Sequence, residues 1–372
     1  MPVKICVYAI CKNESKFVQK WIDNMSEADY ITVLDTGSTD NTVELLKADP
    51  RVTRVEVKEI NPWRFDVARN ESMKLVPEDA DVLVCTDLDE LFVPGWAQVI
   101  RDNWNGDFNR FFYTYAWSHS ETGEPTDVFK YDKIHNREFH WHFPVHEVLW
   151  PNDDNVQLKA FDAEDTIYLH HYPDKEKSRS YYFDLLELAV EENPDDSHEQ
   201  MLLAREYLLA DDYTNALENY LKVLHMPDID TEEKRLVLLE SLGRVADCYR
   251  FLRNYDEAIW YYQEWIKEDH TYREPYLGLA EIYNDMHMYS LAEAMALAAL
   301  KNGTRKYTWV ERADSWIAQP EDILAVALFN LGDYEQALSY ADFCLAHHPD
   351  DPRLLKNYYL IAQAHRAQRI KG

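Results

Sequence analysis

Acidic residues cluster at two points where an apolar, strand-like run gives way to a turn. Asp35-Thr36-Gly37-Ser38-Thr39-Asp40 follows the run Tyr30–Leu34, and Asp87-Leu88-Asp89-Glu90 follows Asp81–Thr86. In open α/β sheets, ligands bind beyond the carboxyl ends of the strands, so both stations are expected at one crevice. Asp-x-Asp on an extended segment puts both carboxylates on one side of the backbone. Such a pair can hold a hard divalent cation against a diphosphate, with several waters retained. The cation would neutralise a departing pyrophosphate and act as a Lewis acid. Acidic loop ends are common, so this motif alone decides little. At the first station, Gly37 makes the turn, and Ser38, Thr39 or Asp40 caps the following helix. Asp35 precedes the turn, and its carboxylate is free to accept hydrogen bonds from a base edge or a ribose.

The elements that must position these acids follow from periodicity. Val3–Ile10, Tyr30–Leu34, Val52–Val57 and Asp81–Thr86 read as strands, and Glu14–Met25, Thr39–Ala48 and Trp63–Val76 as helices. Alternation of this kind, with continuously apolar strands, predicts a mostly parallel sheet covered on both faces. From Arg110 to about Leu169, aromatic alternating runs predict mixed or antiparallel strands, and Thr166–Leu169 closes the domain. From about Lys175 the chain reads as helical and repeats. Tyr213/Ala216, Tyr255/Ala258, Tyr289/Ala292 and Tyr334/Ala337 share one register, and Ala204, Ala246, Ala280 and Ala325 stand twelve residues before the second alanine of each unit. Small residues let two antiparallel helices approach, and no such unit buries its apolar face alone, so the units stack. Longer intervals before the second and fourth units mark insertions. Arg353–Ile370 reads as a terminal helix. The expected division is 1–174 and 175–372.

Composition removes several function classes. The net charge of −30 offers no cationic footprint for nucleic acid and would be repelled by an anionic membrane. An acidic chain that binds an anionic donor needs a metal ion or a few well-placed cations. The apolar run at the N-terminus is a short buried strand rather than a signal peptide, and no stretch approaches a membrane span. Five cysteines without a C-x-x-C pair read as buried, reduced thiols of a cytoplasmic protein.

The runs KNES at 12–15, VLDTGSTDNT at 33–42, WRFDVARNES at 63–72 and DLDE at 87–90 together resemble family 2 glycosyltransferases of the GT-A fold. The resemblance is to the branch that carries tetratricopeptide repeats after the catalytic domain. It implies an α/β GT-A domain, Rossmann-like, followed by an all-α TPR-like repeat domain. It further implies a UDP-sugar donor (UDP-glucose or a relative), Mn2+ or Mg2+, and inverting transfer. Asp35 would accept from the base edge. Asp87 would contact the ribose and the water shell of the metal, and Asp89 would ligate it. Arg69, with Asn70, would lie beneath the diphosphate or orient the two carboxylates; the plainer reading of Arg69 is a surface ion pair. Ile10, Lys12 and Glu14 would line the nucleotide. Leu88 stands where the family usually has alanine, which would tighten the floor under the ribose.

Inverting transfer also needs a general base on the acceptor hydroxyl. Glu147, in Pro144-Val145-His146-Glu147, resembles the family's His-Glu element, with Asp132 the next choice. His170 or His171 stands where related enzymes complete the metal shell. His140 and His142 share a strand face that could suit zinc, but no second ligand pair follows. Trp117, Trp141 and Trp150 are either sugar platforms or core. The acceptor would be a glycan, a lipid-linked group or a protein, held by the repeats, which could equally bind a protein partner or a second copy. A competing reading is a non-catalytic repeat scaffold with a degenerate nucleotide-binding domain. A phosphodiester or nucleotide hydrolase would use Asp-x-Asp but leaves Asp35 and residues 63–72 unexplained.

Overall fold

The computed structural model describes residues 2–120, 123–153, 155–174, 182–306 and 308–371. The chain divides into two compact units, Met1–Ala189 and Val190–Gly372. The expected boundary at 174/175 adjoins residues 175–181, which lie outside the described residues.

The first unit opens with β1 (Ile5–Cys11), α1 (Ser15–Met25), β2 (Tyr30–Asp35), α2 (Thr42–Ala48), β3 (Arg54–Val57), α3 (Phe65–Met73) and β4 (Val82–Cys85). β1 is buried along its whole length, as a central strand covered on both faces must be. α1 buries Val18, Trp21, Ile22 and Met25, the spacing of a single helical stripe. A short strand β5 (Glu90–Phe92) and the helix α4 (Trp96–Asn103) come next. Neither was expected from the sequence. Then follow β6 (Arg110–Ala116), β7 (Val128–His135), β8 (Phe139–His142), β9 (Val148–Pro151), β10 (Ala160–Asp162) and β11 (Tyr168–His171).

The sheet order is β3-β2-β1-β4-β7-β6-β11-β5, with β10 also on β6. β1 to β4 are mutually parallel, and β7 runs antiparallel between β4 and β6. β8 and β9 form a separate antiparallel hairpin. This is the mixed second half that the aromatic runs implied. All five cysteines are buried, and none is in a disulfide. Among the described residues, no helix is long and apolar enough to cross a membrane.

Helix α5 (Tyr182–Glu192) leads into the second unit. Four hairpins follow: α6 (Ser197–Leu209) with α7 (Tyr213–Val223), α8 (Arg235–Phe251) with α9 (Tyr255–Glu268), α10 (Glu274–Asp285) with α11 (Tyr289–Lys301), and α12 (Gln319–Leu331) with α13 (Tyr334–His347). A terminal helix, α14 (Pro352–Lys371), closes the array. The second helix of every hairpin begins at the repeating tyrosine. All eight register alanines are buried, as the close approach of helices demands. The segment between α11 and α12 folds back over earlier hairpins. Val310 is buried in a cluster with Leu239, Leu242, Ala246 and Tyr262. Arg312 reaches Asp247 of α8 at 2.6 Å, and its backbone N–H donates to Glu274 of α10.

Each hairpin turns through a left-handed residue: Asp211, Arg253, His287 and Gly332. Only the fourth is glycine, which takes this conformation without a Cβ clash. Arg253→Gly is therefore expected to stabilise the chain by about 0.5–1 kcal/mol, seen as a higher denaturant midpoint with unchanged slope. A lower midpoint would mean that the arginine side chain matters more than its backbone.

Candidate active site

The loops after β1 and β2 are laced together. Asn13 Oδ1 accepts from the backbone of Thr39 at 2.7 Å, and the Asn13 N–H donates to Ser38 Oγ. The N–H groups of Glu14 and Ser15 donate to Thr42 and Asp40. These bonds account for the recurrence of small hydroxyl and acid residues in the two motifs. They also absorb Asp35. Its carboxylate is fully buried. One oxygen accepts from the N–H groups of Gly37 and Ser38 at 3.0 and 2.8 Å, and the other from Ser38 Oγ and Cys11 Sγ. Asp35 thus has both oxygens engaged within its own turn, in which Gly37 has φ +107°. Ile10 is buried against Leu34, Ala68 and Leu75, Glu14 is buried, and Lys12 is exposed.

At the end of β4, Thr86 Oγ1 accepts from Trp21 Nε1 of α1. The chain then turns rather than continuing extended: Glu90 N–H donates to the Asp87 carbonyl at 3.1 Å. Leu88 goes into the hydrophobic core, so it lies under the turn as an anchor. Asp87 and Asp89 are left half-buried.

Arg69 of α3 is 4% exposed, which removes the reading of a surface pair. It grips both oxygens of Asp87, at 3.0 and 3.2 Å, and donates through Nε to Glu147. Burial would raise the Asp87 pKa, but the charges of Arg69 and Lys133 outweigh it and hold the carboxyl well below the usual range. Glu147 arrives on a loop that contains two left-handed non-glycine residues, Phe143 and His146. The carbonyl of Pro144 in that loop accepts from Phe65 N–H at the start of α3. Asn70 does not reach the carboxylates. Its amide makes paired 2.8 Å bonds to the backbone N–H and C=O of Trp141, clasping the β8–β9 hairpin to α3. Asp132 pairs with Arg110 at 2.9 Å and belongs to the opposite face of β7 from Lys133.

The histidines separate cleanly. β11 lies antiparallel to β5, with His171 opposite Glu90. His171 Nε2 is 3.5 Å from Asp89 Oδ2, and its Nδ1 faces the Trp117 carbonyl. His170 points to the other face and bonds to His119 at 2.9 Å. His140 and His142 share one face, as expected, with ring centroids 6.2 Å apart. Among the described residues, no group of three or more histidine, cysteine or acidic side chains is arranged as a metal cage. Trp141 is core, donating to Tyr8, whose hydroxyl meets His135 Nε2 at 2.7 Å. Trp117 is 41% exposed and packs over His171 at 4.6 Å.

Sequence reasoning passed over one residue here. Lys133 of β7 is almost fully buried, 3.3 Å from Glu90 and 3.6 Å from Asp87. A lysine in an alternating run reads as a solvent-facing residue; only the β4–β7 pairing reveals that it points inward.

An α/β domain with paired acids at a strand end, followed by stacked helical hairpins, is the class that this architecture defines. Residues 6–141, which lie within the first unit, match the family described as Glycosyl transferase family 2. The second unit is an array of four antiparallel helical hairpins that share one alanine and tyrosine register. Similar solved structures include the first TPR domain of human RPAP3, at 18% identity over 37% of this chain and 99% of that one, TM-score 0.32. Another is TTC0263, a TPR protein of Thermus thermophilus, at 20% identity over 49% and 89%, TM-score 0.36. A third is MamA, at 16% identity over 47% and 86%, TM-score 0.36. No curated protein matches the chain.

The Asp89–His171 pair predicts a pH dependence. Burial works against protonating His171, but the hydrogen bond and charge of Asp89 outweigh it and raise the histidine pKa. The stabilisation is complete below the ordinary histidine pKa of about 6.5 and fades as pH rises through the higher folded value. His171→Gln should therefore cost more stability at about pH 5.5 than at about pH 9. The check is the Tm difference from the parent at each pH; equal differences would rule out the ion pair.

Proposed function

We propose that the chain transfers a hexose from a UDP-sugar, UDP-glucose or a relative, to an acceptor hydroxyl with inversion, with Mn2+ or Mg2+ at the diphosphate. The observation that carries this is Arg69, a buried cation that touches both Asp87 at the end of β4 and Glu147 on the 143–147 loop. A donor-side acid and a candidate base thereby share one cluster, as single-displacement chemistry needs.

The acids fit a hard cation of the kind held by one or two carboxylates plus substrate phosphates, rather than by an all-protein cage. Asp89 is the available ligand, with His171 beside it, while Asp87 is engaged by Arg69. When bound, the ion would offset charge on the leaving diphosphate. Asp87 keeps the rim of the site fixed and faces the ribose. Glu147 takes the proton of the acceptor hydroxyl, oriented by Arg69 Nε. A scaffold without catalysis gives no reason to bury two cations among Asp87, Glu90 and Glu147, which is costly unless every charge is matched. The repeat unit holds the acceptor-bearing molecule, a protein partner or a second copy.

Thermal shift with UDP-glucose, UDP-galactose, GDP-mannose and UDP-N-acetylhexosamines, with and without Mn2+, should give a metal-dependent rise for one UDP-sugar. Asp89→Asn should abolish that rise. Glu147→Gln should keep it while losing transfer by about 10²-fold or more. Donor binding by Asp89→Asn equal to the parent's would remove the metal role, and full transfer by Glu147→Gln would remove the base.

A further inference from the structure

Beneath the carboxylate turn lies a second buried charge pair that the reaction as described does not use. Lys133 and Glu90 are 4% and 1% exposed, and their charged atoms are 3.3 Å apart. Lys133 lies one residue before Ile134, which pairs with Val84 of β4, so it sits beside the point where β4 gives way to the turn. Its ammonium also packs over the Tyr131 ring, 4.8 Å from the centroid, and is 3.6 Å from Asp87 Oδ2.

Glu90 uses its two oxygens for different partners. Oε2 accepts the backbone N–H of Asp87 at 2.9 Å, fastening the start of the turn. Oε1 accepts from Tyr115 Oη at 2.8 Å and from Lys133. The Tyr115 ring in turn stacks against His171, with centroids 6.2 Å apart, and His171 meets Asp89. A continuous set of contacts therefore runs from Asp87 through Lys133 and Glu90 to Tyr115, His171 and Asp89. Both acids of the turn hang from it.

We infer that Lys133 is a positioning residue, which, through Glu90, sets the placement of Asp87 and Asp89 and so the strength of the grip on a diphosphate and its divalent cation. Lys133 is too deeply buried to touch the donor; it acts on the donor through the turn. A matched buried pair contributes little net stability against an apolar replacement, whereas loss of Lys133 would leave Glu90, the acceptor of the Asp87 amide, buried without its cation. The inference rests on the donor-site reading for its ligand, but its structural half stands without it.

The test uses the full chain as parent, Lys133→Met, Lys133→Arg and Glu90→Gln, in two arms. Hydrogen exchange of the 86–91 amides measures the turn directly, and titration with UDP and Mn2+ measures the grip. In Lys133→Met, exchange at 86–91 should quicken while the rest of the sheet keeps its protection. Affinity for UDP with Mn2+ should fall on the order of tenfold or more. Glu90→Gln should fall in the same direction, and Lys133→Arg should recover both measurements in large part, a rescue that lost packing alone would not produce. Unchanged exchange at 86–91 in Lys133→Met overturns the inference, as does unchanged affinity beside an altered turn. A parent that binds neither UDP nor Mn2+ sinks the donor-site reading instead, and the exchange arm then still decides whether Lys133 holds the turn.

Discussion

One guanidinium is shared between two carboxylates that come from distant parts of the chain. Arg69 has almost no contact with solvent, so its charge must be answered inside the protein, and Asp87 and Glu147 answer it. A buried cation that loses its partners is strongly destabilising. The surrounding structure follows from that demand. β4 must end beside α3, the 143–147 loop must come back over the start of α3, and the β8–β9 hairpin must be clasped at Asn70 to carry the loop there. The left-handed backbone at Phe143 and His146 is strain of the kind found where surroundings over-determine a functional loop.

The charge pattern has a second layer. The chain carries a net charge of −30, a poor starting point for holding an anionic ligand. At the end of β4, however, two cations are buried against the acids, and both are fixed by hydrogen bonds rather than left mobile. Preorganised charge of this sort needs no reorganisation when a ligand arrives.

How far the sequence revealed this depended on the range of the interaction. The central strands, α1 to α3 and the four hairpins were legible, because periodicity and the alanine and tyrosine registers are local signals. The contacts of Asp35 were not. A carboxylate before a glycine turn looks free until the Ser38 and Cys11 bonds are in view, and Cys11 comes from another strand. Asn70 was placed with the acids by its neighbour Arg69, yet adjacent residues on a helix point in different directions. Lys133 was invisible because its burial depends on β7 inserting antiparallel beside β4, which no spacing announces. Which of His170 and His171 stands beside Asp89 is a matter of strand parity, and it is His171, opposite Glu90.

Repeat arrays are usually quasi-one-dimensional, each hairpin touching only its neighbours, so that they can fray inward from either end. The segment between α11 and α12 breaks that rule here. Through Val310 and Arg312 it touches α10 of the third hairpin and reaches past it to α8 of the second. Fraying that reaches the second or third hairpin must also break this tie. The second and third hairpins should therefore unfold together as one cooperative block rather than in succession.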